Sequence, residues 1–296
     1  MKSHAMKVQK AIIPAAGLGL RFLPATKTIP KEMLPIVDKP TILYSVEEII
    51  AADIPELILI AGRDKSSVED YFDTSFEVED VLEKAGKREL LRPIRELRKR
   101  IKVISIRQQE ALGLGHAVQC AESVVGNEPF ALLLSDEIMI QAPGKPSAIA
   151  QLLATHQATG ASVVSVIEVP EPDTHKYGIV EVTAKTPTTW TVRSAVEKPP
   201  QGSAPSRLAL TGRYVFDPEI FNCLRAIKPD PLGENQLTDA MTLLAQRQSV
   251  LACTVEAQRH DARDKFGYMC ANVEIGLGHP EVGAALAQYL KQRFGS

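Results

Sequence analysis

The apolar run Lys10-Ala11-Ile12-Ile13-Pro14-Ala15-Ala16 ends in Gly17-Leu18-Gly19-Leu20-Arg21, and this junction limits the folds open to the chain more than any other feature. An apolar stretch of this kind reads as a strand buried on both faces, the habit of a parallel sheet covered by helices. The glycines that follow let backbone N–H groups approach an anion closely. No Gly-Lys-Ser/Thr follows, so the segment is not a Walker loop. Phe22 stands where a dinucleotide fingerprint has its third glycine. Taken alone, the loop leaves two readings open: a tight strand-to-helix turn and a phosphate cradle.

The same rhythm continues downstream. Thr41 to Ala52 carries Ile42, Leu43, Val46, Ile49 and Ile50 at helical spacing, with Thr41 as a capping candidate. Glu56 to Ala61 is a short buried strand, and Asp64 to Phe72 reads as a helix. The order strand, loop, helix, strand, helix predicts an α/β fold with a parallel sheet covered on both faces. Phe76 to Arg100 interrupts it with dense charge of both signs. This segment is expected to be a helical excursion at the sheet edge, either a solvated arm or a subunit contact. Lys102 to Arg107 is the next strand, followed by a helix over Gly115 to Val125. Phe130 to Leu134 is a buried strand ending in Ser135-Asp136-Glu137. The second half is richer in strands: Tyr177 to Val182, Thr188 to Val196 and Leu208 to Phe216. Helices are predicted near Ser147 to Thr159, Gln236 to Gln246 and Asp264 to Gly276.

Whole-chain properties narrow the partners. The formal net charge of −2 over 296 residues gives no field that recruits nucleic acid or an anionic membrane. Any anionic substrate must be held by local cations. Cys120, Cys223, Cys253 and Cys270 are scattered, with no Cys-x-x-Cys, so they read as free thiols of a reducing compartment. No apolar run approaches the roughly twenty residues of a membrane span. Residues 1–6 read as an extension or tag remnant because a second Met stands at Met6. The expectation is a cytoplasmic protein with neither membrane nor nucleic-acid partner.

Arg21 lies two residues beyond Gly19, and Lys31 follows in Pro30-Lys31-Glu32. Glycine backbone, a guanidinium and an ammonium thus fall in one stretch, the combination a nucleoside triphosphate needs. The stretch Gly17 to Lys27 (GLGLRFLPATK), continued by Ile29 to Pro40 (IPKEMLPIVDKP), resembles the opening of the bacterial UTP–glucose-1-phosphate uridylyltransferases, or UDP-glucose pyrophosphorylases. Further segments are similar to that family in its own order. They are Arg107-Gln108 with Gly113-Leu114-Gly115-His116-Ala117, Tyr177-Gly178-Ile179-Val180, Val196-Glu197-Lys198-Pro199, Gly212-Arg213-Tyr214, Gln236-Leu237-Thr238-Asp239-Ala240, and Asp261 to Asn272.

The resemblance implies a Rossmann-like, mixed but mainly parallel central sheet flanked by helices, with a strand-rich sugar-binding part. It implies one domain over 7–296: 7–140 mainly for nucleotide, 141–276 mainly for sugar, and 277–296 a C-terminal helix. By the same resemblance, Ala15, Ala16, Gly17 and Gly19 would lie along the nucleotide. Gln108, with Gly113 beside it, would meet the uracil edge. Arg21, Lys31 and Lys198 would neutralise phosphate charge. Gly178, Glu197 and Lys198 would hold the sugar phosphate. Asp136 would hold Mg²⁺, with Asp261 as a second contact. His116 is set aside as a structural residue near a helix start. The substrates would be UTP and glucose 1-phosphate, and the chain would form a homo-oligomer, dimer or tetramer.

The sequence also departs from the family pattern. Leu20 replaces a small hydroxyl residue, Ser135-Asp136-Glu137 stands where the family often has Pro-Asp-Asp or Pro-Asp-Val with the Asp retained, and Asn235 replaces an aliphatic residue. Two alternatives stay open: a thymidylyltransferase or other sugar nucleotidyltransferase, and a non-catalytic regulatory paralogue.

Overall fold

The computed structural model describes residues 6–186 and 189–295. Met1–Ala5, part of the expected extension, and Thr188, the expected first residue of a strand, lie outside the described residues. Strand β1 (Lys10–Ala15) leads through the glycine loop to a small hairpin, β2 (Pro35–Ile36) and β3 (Lys39–Pro40). Then come β4 (Glu56–Ala61), β5 (Lys102–Arg107), β6 (Phe130–Leu133) and β7 (Glu137–Gln141). The later strands are β8 (Ser162–Glu168), β9 (Gly178–Lys185), β10 (Thr189–Glu197), β11 (Leu208–Phe216), β12 (Val250–Cys253) and β13 (Ala257–Asp261).

Nine of these strands form one sheet in the order β5-β4-β1-β6-β11-β8-β12-β10-β9. β5, β4, β1 and β6 are mutually parallel. β11 enters antiparallel to β6 and β8, and among the described residues parallel pairing then recurs only in β8–β12. The sheet is therefore the expected mixed α/β sheet, with its parallel part concentrated in the first half of the chain.

Alternation along β1 and β4 explains the two-sided core. Ile12, Ile58 and Ile60 pack into one apolar cluster, while Ala11, Ile13, Leu57 and Leu59 pack into the other. Helices cover both faces. Thr41–Ala51 and Ala148–Thr159 bury Ile42, Val46, Ile49, Ile149 and Leu152 on one side. On the other side Gly113–Gln119, Glu219–Ala226 and Leu237–Arg247 bury Val118, Phe221, Leu224, Met241 and Leu244.

Several local expectations are corrected. Thr41 does not cap its helix from outside; it is the first helical residue, and its hydroxyl donates to Leu34 O at 2.6 Å. The helix expected over Asp64 to Phe72 is only Ser66–Asp70. Gly115 to Val125 divides into Gly113–Gln119 and Glu122–Val125. The charged excursion is a helical hairpin, Phe76–Lys84 and Arg88–Arg100, in which Glu79 bridges Arg95 and Arg98. β7 and β13 were not anticipated. β13 reads Ala-Gln-Arg-His-Asp and lacks apolar alternation; it exists because it pairs antiparallel with β7.

Candidate active site

β1 ends at the carboxyl edge of the parallel part, where sheets of this kind bind ligands. A cleft of about 560 Å³ opens there. The loop after β1 forms one wall. Gly19 sits at φ 67°, a left-handed conformation, and an added Cβ would lie 3.1 Å from Thr26 Cγ2 and 3.3 Å from Lys31 Cβ. Glycine is needed there both for conformation and for space. The three-residue turn Leu20–Phe22 follows, and Thr26 Oγ1 donates to Gly19 O at 2.7 Å. Phe22 meets the edge of Tyr268 with ring centres 5.5 Å apart. Tyr268 belongs to the helix Lys265–Leu277, whose Asn272 Oδ1 accepts from Val37 N at 2.9 Å. That helix therefore braces the loop and the hairpin behind it.

Lys31 lies in a short turn whose neighbour Glu32 is buried and paired with Lys65 Nζ at 2.8 Å. The Lys31 ammonium reaches Asp136 Oδ2 at 2.6 Å. Burial works against charge on both partners. For Lys31, the Asp136 and Glu32 carboxylates outweigh burial and hold the ammonium above its usual range. For Asp136, Lys31 and Arg263 outweigh it and hold the carboxyl below its usual range. Both groups are thus ionised and face one cleft.

The Asp136 turn is fixed from beneath. Arg213 is fully buried and donates Nε to Glu48 Oε2 at 2.9 Å. Its Nη1 reaches Leu134 O at 3.0 Å and its Nη2 reaches Glu137 O at 2.8 Å, so one guanidinium spans the turn that carries Asp136. Glu48 also accepts from Ile149 N at 2.7 Å.

Gln108 is buried beside the cleft, and its Nε2 donates to Gly113 O at 3.2 Å and meets His116 Nδ1 at 2.9 Å. A carbonyl can only accept, so Nε2 is the side turned inward and Oε1 is left for a ligand. His116 therefore orients the Gln108 amide. On the opposite side Glu197 Oε1 lies 3.3 Å from Lys198 Nζ. Lys198 has φ 41° and precedes Pro199, a doubly disfavoured conformation. Its N–H is tied to Tyr177 O at 3.0 Å. Gly178 pairs in register with Glu197, and an added Cβ would lie 3.1 Å from Glu197 Oε2.

Ala16, Gly17, Gly19, Arg21, Lys31, Gln108, Gly113, Asp136, Glu197 and Lys198 all line the cleft. Three expected residues do not. Ala15 is fully buried in β1, paired with Ala61, and its side chain belongs to the core. Gly178 lies behind Glu197 and makes room for it. Asp261, expected as a second metal contact, is taken up by arginines. Arg263 Nε donates to Oδ1 at 2.8 Å, and Arg259 Nη2 donates to Oδ2 at 3.1 Å. Leu20 lines the cleft with 66% of its surface exposed. Asn235 is engaged through backbone alone, from N to Leu112 O and from O to Gly115 N, contacts that any side chain permits.

Lys176 and Arg263 also line the cleft, and neither was singled out from the sequence. Both fall in or next to motif segments, Lys176 before Tyr177-Gly178 and Arg263 after Asp261. Only their charge could have drawn attention to them.

A mixed α/β sheet with a glycine loop, paired ammonium and carboxylate groups and a second basic strand end defines an enzyme of the nucleotidyltransferase class. Residues 10–269 match the Nucleotidyl transferase family, and the chain belongs to it. A UTP–glucose-1-phosphate uridylyltransferase of Staphylococcus epidermidis is 47% identical over 286 residues, covering 97% of this chain and 98% of that protein. One from Bacillus subtilis is 46% identical, covering 96% and 97%. The fold superposes on the UTP-bound UGPase of Acinetobacter baumannii with a TM-score of 0.89 and 40% identity, over 97% and 99% of the two chains. No helix among the described residues is long and apolar enough to cross a membrane.

Proposed function

We propose that this enzyme makes UDP-glucose and pyrophosphate from UTP and glucose 1-phosphate at the cleft between the glycine loop and Lys198. The observation that carries the reading is the meeting of Arg21, Lys31, Asp136 and Lys198 in one cleft with Gln108. A phosphate oxygen of the sugar phosphate attacks the α-phosphorus. The α–β bridging P–O bond breaks, and pyrophosphate leaves with its electrons. The attacking phosphate has a second pKa of about 6, so it needs no general base. The barrier is the approach of two polyanions, which positioning and neutralisation lower.

In this reading Gly17 and Gly19 present backbone to the triphosphate, with Ala16 beside the nucleoside. Arg21 and Lys31 take the charge that leaves with pyrophosphate. Gln108 Oε1 accepts from the uracil N3–H, and Glu197 accepts from sugar hydroxyls. Lys198 holds the sugar phosphate. Asp136 suits Mg²⁺, which favours one or two carboxylates completed by phosphate oxygens and water. Bound there, the metal would neutralise phosphate charge, and Lys31 would then turn from Asp136 to the substrate. Residues 7–140 serve mainly the nucleotide and 141–276 mainly the sugar. The four free cysteines support a cytoplasmic site of action. Exposed Phe266, Met269, Tyr289 and Phe294 on the last two helices support a homo-oligomer.

The test is pyrophosphate release with Mg²⁺, crossing UTP and dTTP against glucose 1-phosphate and galactose 1-phosphate. UTP with glucose 1-phosphate is expected to be the fastest pair. Preference for dTTP would point to a thymidylyltransferase, and no release with any pair to a non-catalytic paralogue.

A further inference from the structure

A second cleft of about 620 Å³ opens beside the first. Arg21, Lys176, Lys198 and Arg263 line both. These four cations border the space that the two clefts share, and they are not equally fixed. The Lys176 and Lys198 side chains are 56% and 54% exposed, whereas that of Arg263 is 23% exposed. Its guanidinium stacks over Tyr177, 4.6 Å from the ring centre. Tyr177 is the residue whose carbonyl holds the Lys198 backbone.

Asp261 does the holding. Its Oδ1 accepts from Arg263 N at 3.1 Å and from Arg263 Nε at 2.8 Å. Its Oδ2 accepts from Arg263 Nη2, from Arg259 Nη2 at 3.1 Å and from Tyr177 OH at 3.4 Å. A carboxylate has about four lone-pair sites, and these donors fill them. Little is left for a metal ion. The Arg263 guanidinium, in contrast, forms its described hydrogen bonds through Nε and Nη2. The Nη1 amine remains for a ligand in the cleft. Burial opposes the charge on Arg263, but Asp261 and Glu137 outweigh it, so the group stays cationic.

We propose that Arg263 is a catalytic residue that takes the phosphate of the sugar 1-phosphate beside Lys198, and that Asp261 positions Arg263 and does not bind the metal. A planar guanidinium held on one edge presents the other at a fixed angle, which a flexible lysine cannot do. Lys198 thus supplies charge and Arg263 supplies direction, setting the attacking oxygen in line. The proposal rests on the reading of this cleft as a sugar-phosphate site.

Calorimetric titration of glucose 1-phosphate and of UTP into metal-free protein tests it, with melting temperature as the check on folding. Arg263→Gln is expected to weaken glucose 1-phosphate binding at least about tenfold, the loss of one charge-assisted contact, and UTP binding by less than about threefold. Arg263→Lys, which keeps the charge, should recover part of that loss and guards against a variant that fails to fold. Asp261→Asn should weaken the sugar phosphate while leaving the Mg²⁺ concentration needed to raise the melting temperature of the UTP complex unchanged. Arg263→Gln with unaltered sugar-phosphate affinity would overturn the proposal, as would turnover that rises in that variant, since the guanidinium would then be a plug. Wild-type protein that binds UTP but not glucose 1-phosphate would instead overturn the sugar-phosphate reading, and the proposal with it.

Discussion

The Asp136 turn and the Gly17–Arg21 loop both line the cleft, yet they are held in place by different means. Beneath the turn lies Arg213, fully buried, paired with Glu48 and donating to the carbonyls on both sides of Asp136. The loop has Leu18 and Leu20 each 66% exposed and is tied back by Thr26 and the Phe22–Tyr268 contact. A buried charge network costs a great deal to disturb, while a segment with few buried contacts opens easily. The carboxylate is therefore set in advance, and the loop is left free to adjust to a ligand in the cleft. Preorganised charge on one wall and an adaptable cradle on the other suit a reaction whose barrier is electrostatic.

Breaking the buried side should have the largest effect. Arg213→Met leaves Glu48 buried without its guanidinium and should cost about 3–5 kcal/mol in urea denaturation. Turnover should fall as well, because the Asp136 turn loses both tethers. A loss within about 0.5 kcal/mol, the size expected of an ordinary surface change, would remove the distinction between the walls.

A smaller effect belongs to Asp261, which lies between these extremes of burial. Burial raises its carboxyl, but hydrogen bonds and charge from Arg263, with Arg259, outweigh that and hold it at about 2, below the ordinary 3.8. A depressed acid stabilises the fold above its unfolded value and loses that contribution as pH falls through the folded one. Asp261→Asn should therefore cost about 1–2 kcal/mol at neutral pH, after allowance for partial solvent screening. In denaturant titrations at a series of pH values, the gap to wild type should start to close below about pH 5 and vanish only below the folded value, at about pH 1. A gap independent of pH would show that the ion pairs contribute nothing.

The apolar framework was legible in the sequence wherever burial repeats at a fixed period. Leu208–Phe216 has the bounds its pattern predicts, and the strand Glu56–Ala61 and helix Thr41–Ala51 follow from the same reasoning. Most of the cleft was legible through motif segments, since backbone loops and strand ends keep local order. Tertiary pairing was not. Nothing local says that Arg213 will meet Glu48, 165 residues away, or that Asp261 will face two arginines. β13 was missed because its polar residues are ordered by their partners on β7 and by the site itself. The Ala15 side chain turns to the core by one step of strand alternation, which a motif segment does not show.

The central claim is that opposite walls hold different substrates: the loop the triphosphate, the Lys198 strand end the sugar phosphate. Titrating UTP and glucose 1-phosphate separately into Arg21→Ala and Lys198→Ala tests it most directly. The account predicts a crossed result, with UTP affinity falling about tenfold or more in Arg21→Ala and glucose 1-phosphate affinity falling similarly in Lys198→Ala, each variant keeping the other ligand. Equal loss of both ligands in either folded variant would contradict it.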